Sequence, residues 1–122
     1  MVTAMSSPPP VSVVRPEQPS LPVVLSCPHA GTFLPEELRQ ASALDDDILL
    51  QATDFGVLDL IEPAAAALSV PLVICGYSRA YCDVNRDRDE LDPGLFDDGT
   101  DLPPHRNRSP RVLPGLGGVR TR

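Results

Sequence analysis

Leu21-Pro22-Val23-Val24-Leu25-Ser26 and Val70-Pro71-Leu72-Val73-Ile74-Cys75 are the two runs whose reading decides the fold class of this 122-residue chain. Each is short, apolar almost throughout and bounded by turn-forming residues, the pattern of a strand buried within a sheet. The residues between them have helical character. A strand, a helical region and a second strand predict a parallel pair joined by a crossover connection. The expected class is therefore α/β, with a mixed sheet built on a parallel βαβ core and residues 21–26 as a central strand.

Upstream, residues 6–20 are rich in Ser and Pro, with one apolar patch, Val11-Ser12-Val13-Val14, that suits an extended arm or an edge strand. The organisation expected is a Pro/Ser-rich arm over residues 1–20, an α/β core over 21–86 and a loop-rich, poorly ordered end over 87–122. Within the core, Pro35-Glu36-Glu37-Leu38 starts a helix, because proline suits the first helical position and acids suit the first turn. Asp45, Asp46 and Asp47 precede Ile48-Leu49-Leu50 and stand where they would cap a second helix. In residues 56–68, Val57, Leu60, Ile61, Ala64 and Leu68 fall on one helical face, and Pro63 predicts a kink. Past Asp87 the apolar content thins, and Asp92-Pro93-Gly94, Asp98-Gly99 and Pro103-Pro104 mark turns.

Both apolar runs feed polar clusters. The first leads into Ser26-Cys27-Pro28-His29-Ala30-Gly31, the second into Ser78-Arg79-Ala80-Tyr81-Cys82-Asp83-Val84-Asn85-Arg86. In an α/β sheet, ligands gather just past the carboxyl ends of the strands, so these are the candidate site segments. The first offers an imidazole, the commonest metal ligand. The second offers Arg79, Asp83, Asn85 and Arg86, a set able to hold a carboxylate and orient an amide carbonyl. A metal-type residue beside a carboxylate-type clamp suggests a hydrolase acting on an acylated amino acid.

Composition narrows the partners. The basic residues are ten arginines with no lysine, and the net charge is -7, which disfavours nucleic acid and anionic membrane as principal partners. Cys27, Cys75 and Cys82 form no CxxC pair, and their odd number suits a reduced intracellular protein. Cys27 and His29 could form a nucleophilic pair only if they met in space, and the plainer reading of all three cysteines is small apolar residues at strand ends. Residues 1–10 lack a basic segment followed by a long apolar one, so no signal peptide is expected, and no run is long enough to span a bilayer. A cytoplasmic protein is expected.

These motifs, in this order, resemble the N-formylglutamate amidohydrolase family, whose members carry a Ser-x-Pro-His-x-Gly loop after an apolar strand. Here that loop is Ser26 to Gly31, with Pro35 following as in the family. Asp54 in Thr53-Asp54-Phe55-Gly56-Val57 matches an Asp ahead of an amphipathic helix. Ser78, Arg79, Asp83, Asn85 and Arg86 match a Ser-Arg-x-x-x-Asp-x-Asn-Arg segment, and Gly115-Leu116-Gly117 resembles a later Gly-Leu-Gly stretch. The resemblance implies a partial three-layer α/β/α sandwich of the zinc carboxypeptidase and aspartoacylase type. It also implies hydrolysis of the formamide of N-formyl-L-glutamate to formate and glutamate, as in histidine degradation. Family members continue for more than a hundred further residues, so the chain is expected to be a fragment of low activity alone, with its general base beyond residue 122.

On this resemblance the expected cofactor is a divalent metal, zinc foremost, with His29 and Asp54 as ligands. Arg79, Asp83, Asn85 and Arg86 are the expected substrate-binding set for a small N-acyl amino acid. Alternatives stand beside each residue. His29 could serve only the loop backbone, and Asp54 could cap the helix near Gly56. Arg86 could pair with Asp83, Asp87 or Asp89, and Asn85 could close a turn. There is no HExxH, and Thr32 stands where a Glu three residues after His29 would be, so a third ligand must come from elsewhere. No role is expected for His105. Two other functions fit the same motifs: a metal-dependent hydrolase of another N-acyl amino acid, and a non-catalytic module that keeps an anion clamp.

Overall fold

Residues 7–90 are described by the structure, a computed structural model. The expected turns at Asp92-Pro93-Gly94, Asp98-Gly99 and Pro103-Pro104, the Gly115-Leu116-Gly117 stretch and the tail from residue 91 lie outside the described residues. Three strands form one mixed sheet: β1 (Val11–Val14), β2 (Leu25–Cys27) and β3 (Leu72–Cys75), in the order β1-β3-β2. Three helices lie between β2 and β3: α1 (Glu36–Ala41), α2 (Asp46–Leu50) and α3 (Val57–Ala67).

The parallel pair exists as the sequence predicts, with Leu25 opposite Leu72 and Cys27 opposite Ile74. Val11-Ser12-Val13-Val14 is an edge strand, antiparallel to β3. The centre of the sheet differs from expectation. Among the described residues β3 is central and the 21–26 run supplies an outer strand of only its last residues plus Cys27. Pro22 has no amide to donate to a ladder, and β3 offers partners only from Leu72 onward, reached first by the Leu25 amide on the Pro71 carbonyl at 2.9 Å. Residues 21–24 consequently run alongside the α3–β3 turn without pairing, anchored by the Ser20 amide and hydroxyl on the Ser69 and Leu68 carbonyls.

The helices start where their sequence signals stand. Pro35 precedes α1 with Glu36 and Glu37 in its first turn, and Asp45 precedes α2. Helix α3 follows Gly56, whose φ of 77° is a left-handed conformation that suits glycine. It continues through Pro63, whose missing amide would have bonded to the carbonyl of Asp59, an exposed residue that water can serve. The face that α3 buries is not the expected one. Ala65 is buried and Leu58 and Ile61 pack beside it against Cys27, Leu25, Leu72 and Ile74, whereas Leu60 is 77% exposed and Val57 and Leu68 are also exposed. Two apolar stripes compete on this helix, and the one carrying Leu58, Ile61 and Ala65 is set against the sheet.

Helix α3 covers one face of the sheet. On the other, the β1 side chains Val11 and Val13 are exposed, and so is Val24 just before β2. A groove of about 500 Å³ lies there, lined by Val13, Pro16, Pro19, Val24, Pro71 and Val73, with Arg15 among them. No helix among the described residues is long and apolar enough to cross a membrane.

Candidate functional site

The polar cluster forms past the carboxyl ends of the parallel strands β2 and β3. After Cys27 the chain leaves β2, makes a short loop, and rejoins the ladder at Phe33, which bridges in parallel to Tyr77. The Phe33 amide donates to the Gly76 carbonyl (3.1 Å) and the Ser78 amide to the Phe33 carbonyl (2.9 Å). His29 stands on the loop so formed. Gly31 makes the re-entry possible: a Cβ there would lie 2.4 Å from the Tyr77 carbonyl oxygen and 2.6 Å from that of Cys75. No other residue fits without displacing one of the two chains.

Four side chains meet at this point. His29 Nε2 is 2.8 Å from Asp83 Oδ1, and its Nδ1 is 2.9 Å from Arg79 NH1 and 3.5 Å from Asp54 Oδ2. Arg79 NH2 completes the ring with Asp54 Oδ1 at 3.2 Å. Arginine has only donors, so its bond to Nδ1 requires a lone pair there, and the ring proton then sits on Nε2 and is donated to Asp83. The cluster is thus an imidazole held between a buried carboxylate behind it and an arginine–carboxylate pair before it. The Asp83 side chain is 1% exposed, that of His29 13% and that of Asp54 42%, so the cluster opens to solvent on the Asp54 side.

The loops are fixed by backbone as well. The Asp54 amide donates to the His29 carbonyl (2.9 Å), and Thr53 Oγ1 donates to the Gly31 carbonyl (3.3 Å), tying the α2–α3 connection to the histidine loop. Ser78 is fully buried; its hydroxyl accepts the Ala80 amide and its carbonyl the Tyr81 amide, which turns the chain at Arg79. Asp83 Oδ1 also accepts the Asn85 amide (3.0 Å), and the Arg86 amide donates to the Asp83 carbonyl. Burial pushes the Asp83 carboxyl up, but the His29 and Asn85 hydrogen bonds, with the further electrostatic pull of His29 and Arg86, outweigh it and hold the group below the usual carboxylate range.

The sequence-derived candidates separate into two groups. His29, Asp54, Arg79 and Asp83 come together. Asp83, expected among the substrate-binding residues, is hydrogen-bonded to His29, and Asp54 faces His29 and Arg79 while Gly56 caps α3. Arg86 lies just behind, its Nε 4.0 Å from Asp83 Oδ2, and Asn85 is exposed in the turn that follows. Cys27 makes no pair with His29: it is buried under α3, and burial pushes its thiol up, away from the thiolate. Among the described residues no group of three or more His, Cys, Asp or Glu is arranged to hold a metal ion. Sequence reasoning passed over Thr53, the anchoring role of Ser78, and the buried Glu90. Ser78 and Gly31 were visible as motif positions, but nothing in the motif says that one turns Arg79 and the other touches β3.

Comparison with known proteins places this arrangement. No curated protein matches the sequence. The chain is similar to a solved structure, N-formylglutamate amidohydrolase from Ralstonia eutropha JMP134, with a TM-score of 0.74 and 27% identity over 91% of this chain. The match spans 38% of that protein's length. The family model for N-formylglutamate amidohydrolase matches residues 21–116, a segment that contains both strand-end motifs and every residue of the cluster. By that match, which takes in most of its length, the chain belongs to the N-formylglutamate amidohydrolase family.

Proposed function

We propose that the cluster is part of the active site of a metal-assisted amidohydrolase that cleaves the formamide of N-formyl-L-glutamate to formate and glutamate, a step of histidine breakdown. The observation that carries this reading is the setting of His29: its Nε2 side rests on the buried Asp83 carboxylate, and its Nδ1 side faces Arg79 and Asp54. A histidine that ligates a metal through one nitrogen characteristically donates the other N–H to a carboxylate, which sets its tautomer and raises its basicity. The donor chemistry therefore fits a divalent cation such as zinc as two members of a ligand set, His29 Nδ1 and Asp54, with a further ligand supplied from outside residues 7–90. Such an ion would supply Lewis acidity, drawing electrons from the formyl carbonyl and easing deprotonation of the attacking water.

The chain's own residues supply the rest. Asp83 holds the imidazole in the ligating orientation. Arg79 and Arg86 present planar forks suited to carboxylates, and N-formyl-glutamate carries two. Asn85, exposed beside Arg86, is within the same turn and completes the expected clamp for the amino-acid end. In this reading the sheet with α3 is one portion of a three-layer α/β/α sandwich of the zinc carboxypeptidase type, acting on a small molecule in the cytoplasm. The test is formate release from N-formyl-L-glutamate by the protein supplied with zinc, with N-acetyl-L-glutamate in parallel. Chelation and His29→Ala should each remove the activity, and His105→Ala should not. Activity that survives both chelation and loss of His29 would sink the proposal.

A further inference from the structure

Arg79 holds a position that its role as a carboxylate fork does not explain. One of its terminal nitrogens donates to the His29 Nδ1 lone pair at 2.9 Å and the other meets Asp54 Oδ1 at 3.2 Å. Those are the two donors to which the metal reading assigns a cation. A guanidinium that bridges both donors and a divalent cation that takes both are mutually exclusive, because each needs the same lone pair on Nδ1. The arginine is also incompletely satisfied where it stands: its Nε is buried and has no hydrogen-bond acceptor among the described residues.

Resting on the metal reading given above, we infer that Arg79 is an internal cation that occupies the metal-binding donors and must withdraw when a metal is loaded. The seat between His29 and Asp54 is then never without positive charge. Asp54, which opens to solvent, keeps a partner before loading, and the fork of Arg79 becomes available to an anionic ligand only once loading has occurred. Metal occupancy and carboxylate recognition are thereby coupled through one side chain, and the coupling is reciprocal: an anion that draws Arg79 away favours the metal.

The experiment is zinc binding, read by equilibrium titration on the full 122-residue chain and on Arg79→Met, Arg86→Met and His29→Ala. Arg79→Met should bind zinc at least ~10-fold more tightly than the wild type, since the competitor is gone. Arg86→Met removes the same charge from the far side of Asp83 and should change the affinity by less than ~3-fold, because only long-range repulsion is relieved there. His29→Ala should bind no zinc at the site. Equal gains from both arginine variants, or no gain from Arg79→Met, would overturn the inference while His29-dependent binding kept the metal reading standing. Absence of His29-dependent binding in both wild type and Arg79→Met would overturn both. Should Arg79→Met fail to fold, the wild type decides the matter: its Arg79 guanidinium 15N signal must shift at saturating zinc, and an unmoved signal refutes the withdrawal.

Discussion

The carboxyl ends of β2 and β3 and the outer face of the same sheet are built from opposite materials. At the strand ends, His29, Arg79 and Asp83 are ionisable and mostly buried; across the outer face, Val11, Val13 and Val24 are apolar and exposed. Buried charge is tolerable only with partners, and His29, Asp83, Arg79 and Asp54 supply most of theirs to one another. Buried hydrocarbon needs only a cover, and none is present on the outer face among the described residues. The contrast teaches which part of the molecule is specified by direction and which by area alone. A network of directional contacts should fail when one member is removed, whereas an uncovered apolar face should scarcely register a substitution.

The largest effect should follow Asp83→Ala, which strands the His29 ring and the Asn85 amide and removes the carboxylate nearest to Arg86. A loss of about 3–5 kcal/mol in denaturant-induced unfolding is expected. Asp83→Asn, which keeps an acceptor for His29, should lose clearly less. The wild-type contribution of this carboxylate should also depend on pH. Its folded pKa is lowered, so the stabilisation is complete above the ordinary carboxylate value of about 4 and is lost as pH falls through the lowered value. Unfolding curves between pH 6 and 2 should show that loss in the wild type and not in Asp83→Ala. If the variant costs under about 1 kcal/mol, the strand ends are no more demanding than a surface.

Arg86→Lys sharpens the comparison by asking whom the buried fork serves. If it grips a substrate carboxylate, kcat/KM for N-formyl-L-glutamate should fall roughly 10- to 100-fold, the equivalent of a charged hydrogen bond. The loss should shrink for substrates whose carboxylate is amidated. Equal losses on both would assign Arg86 to Asp83 alone, which its 4.0 Å approach already permits. Gly31→Ala comes next, at about 1–3 kcal/mol by thermal or chemical denaturation, because the added methyl meets carbonyl groups of β3 rather than the yielding end of a side chain. The smallest effect belongs to the outer face. Val24, 62% exposed, should tolerate Thr within about 0.5 kcal/mol, and a much larger loss would reveal a cover on that face.

How far the sequence alone reaches follows the same division. Apolar runs and their punctuation placed β3, the parallel pairing, the edge strand and the starts of α1 and α2, because these depend on neighbours in the chain. They did not place the centre of the sheet or the buried stripe of α3. Residues 21–26 are apolar enough for a central strand, but which strand is central depends on who pairs with whom. Helix α3 packs Leu58, Ile61 and Ala65 inward and leaves Val57, Leu60 and Leu68 exposed, a choice set by how the helix docks on the sheet, which its own periodicity does not encode. At the site, the residue types and their strand-end position were legible for His29, Arg79 and Asp83, and Asp54 was legible only as the Asp ahead of a helix that the family resemblance supplies. The contact of Asp83 with His29 was not, since it joins segments brought together only by the parallel register of β2 and β3.

One backbone bond has a bearing on affinity. The Asp54 amide donates to the His29 carbonyl, so the long excursion through α1 and α2 returns to its starting point with no ligand needed to hold it there. Closing a chain segment of that length carries an entropic penalty on the order of 3 kcal/mol. Because folding has already met that penalty, a ligand that bridges the two side chains does not meet it again, an advantage of roughly a hundredfold in its dissociation constant over the same two groups on an open chain. The hydrogen bond from the Asp54 amide to the His29 carbonyl thus does for this pair what a chelating ring does for a small-molecule ligand.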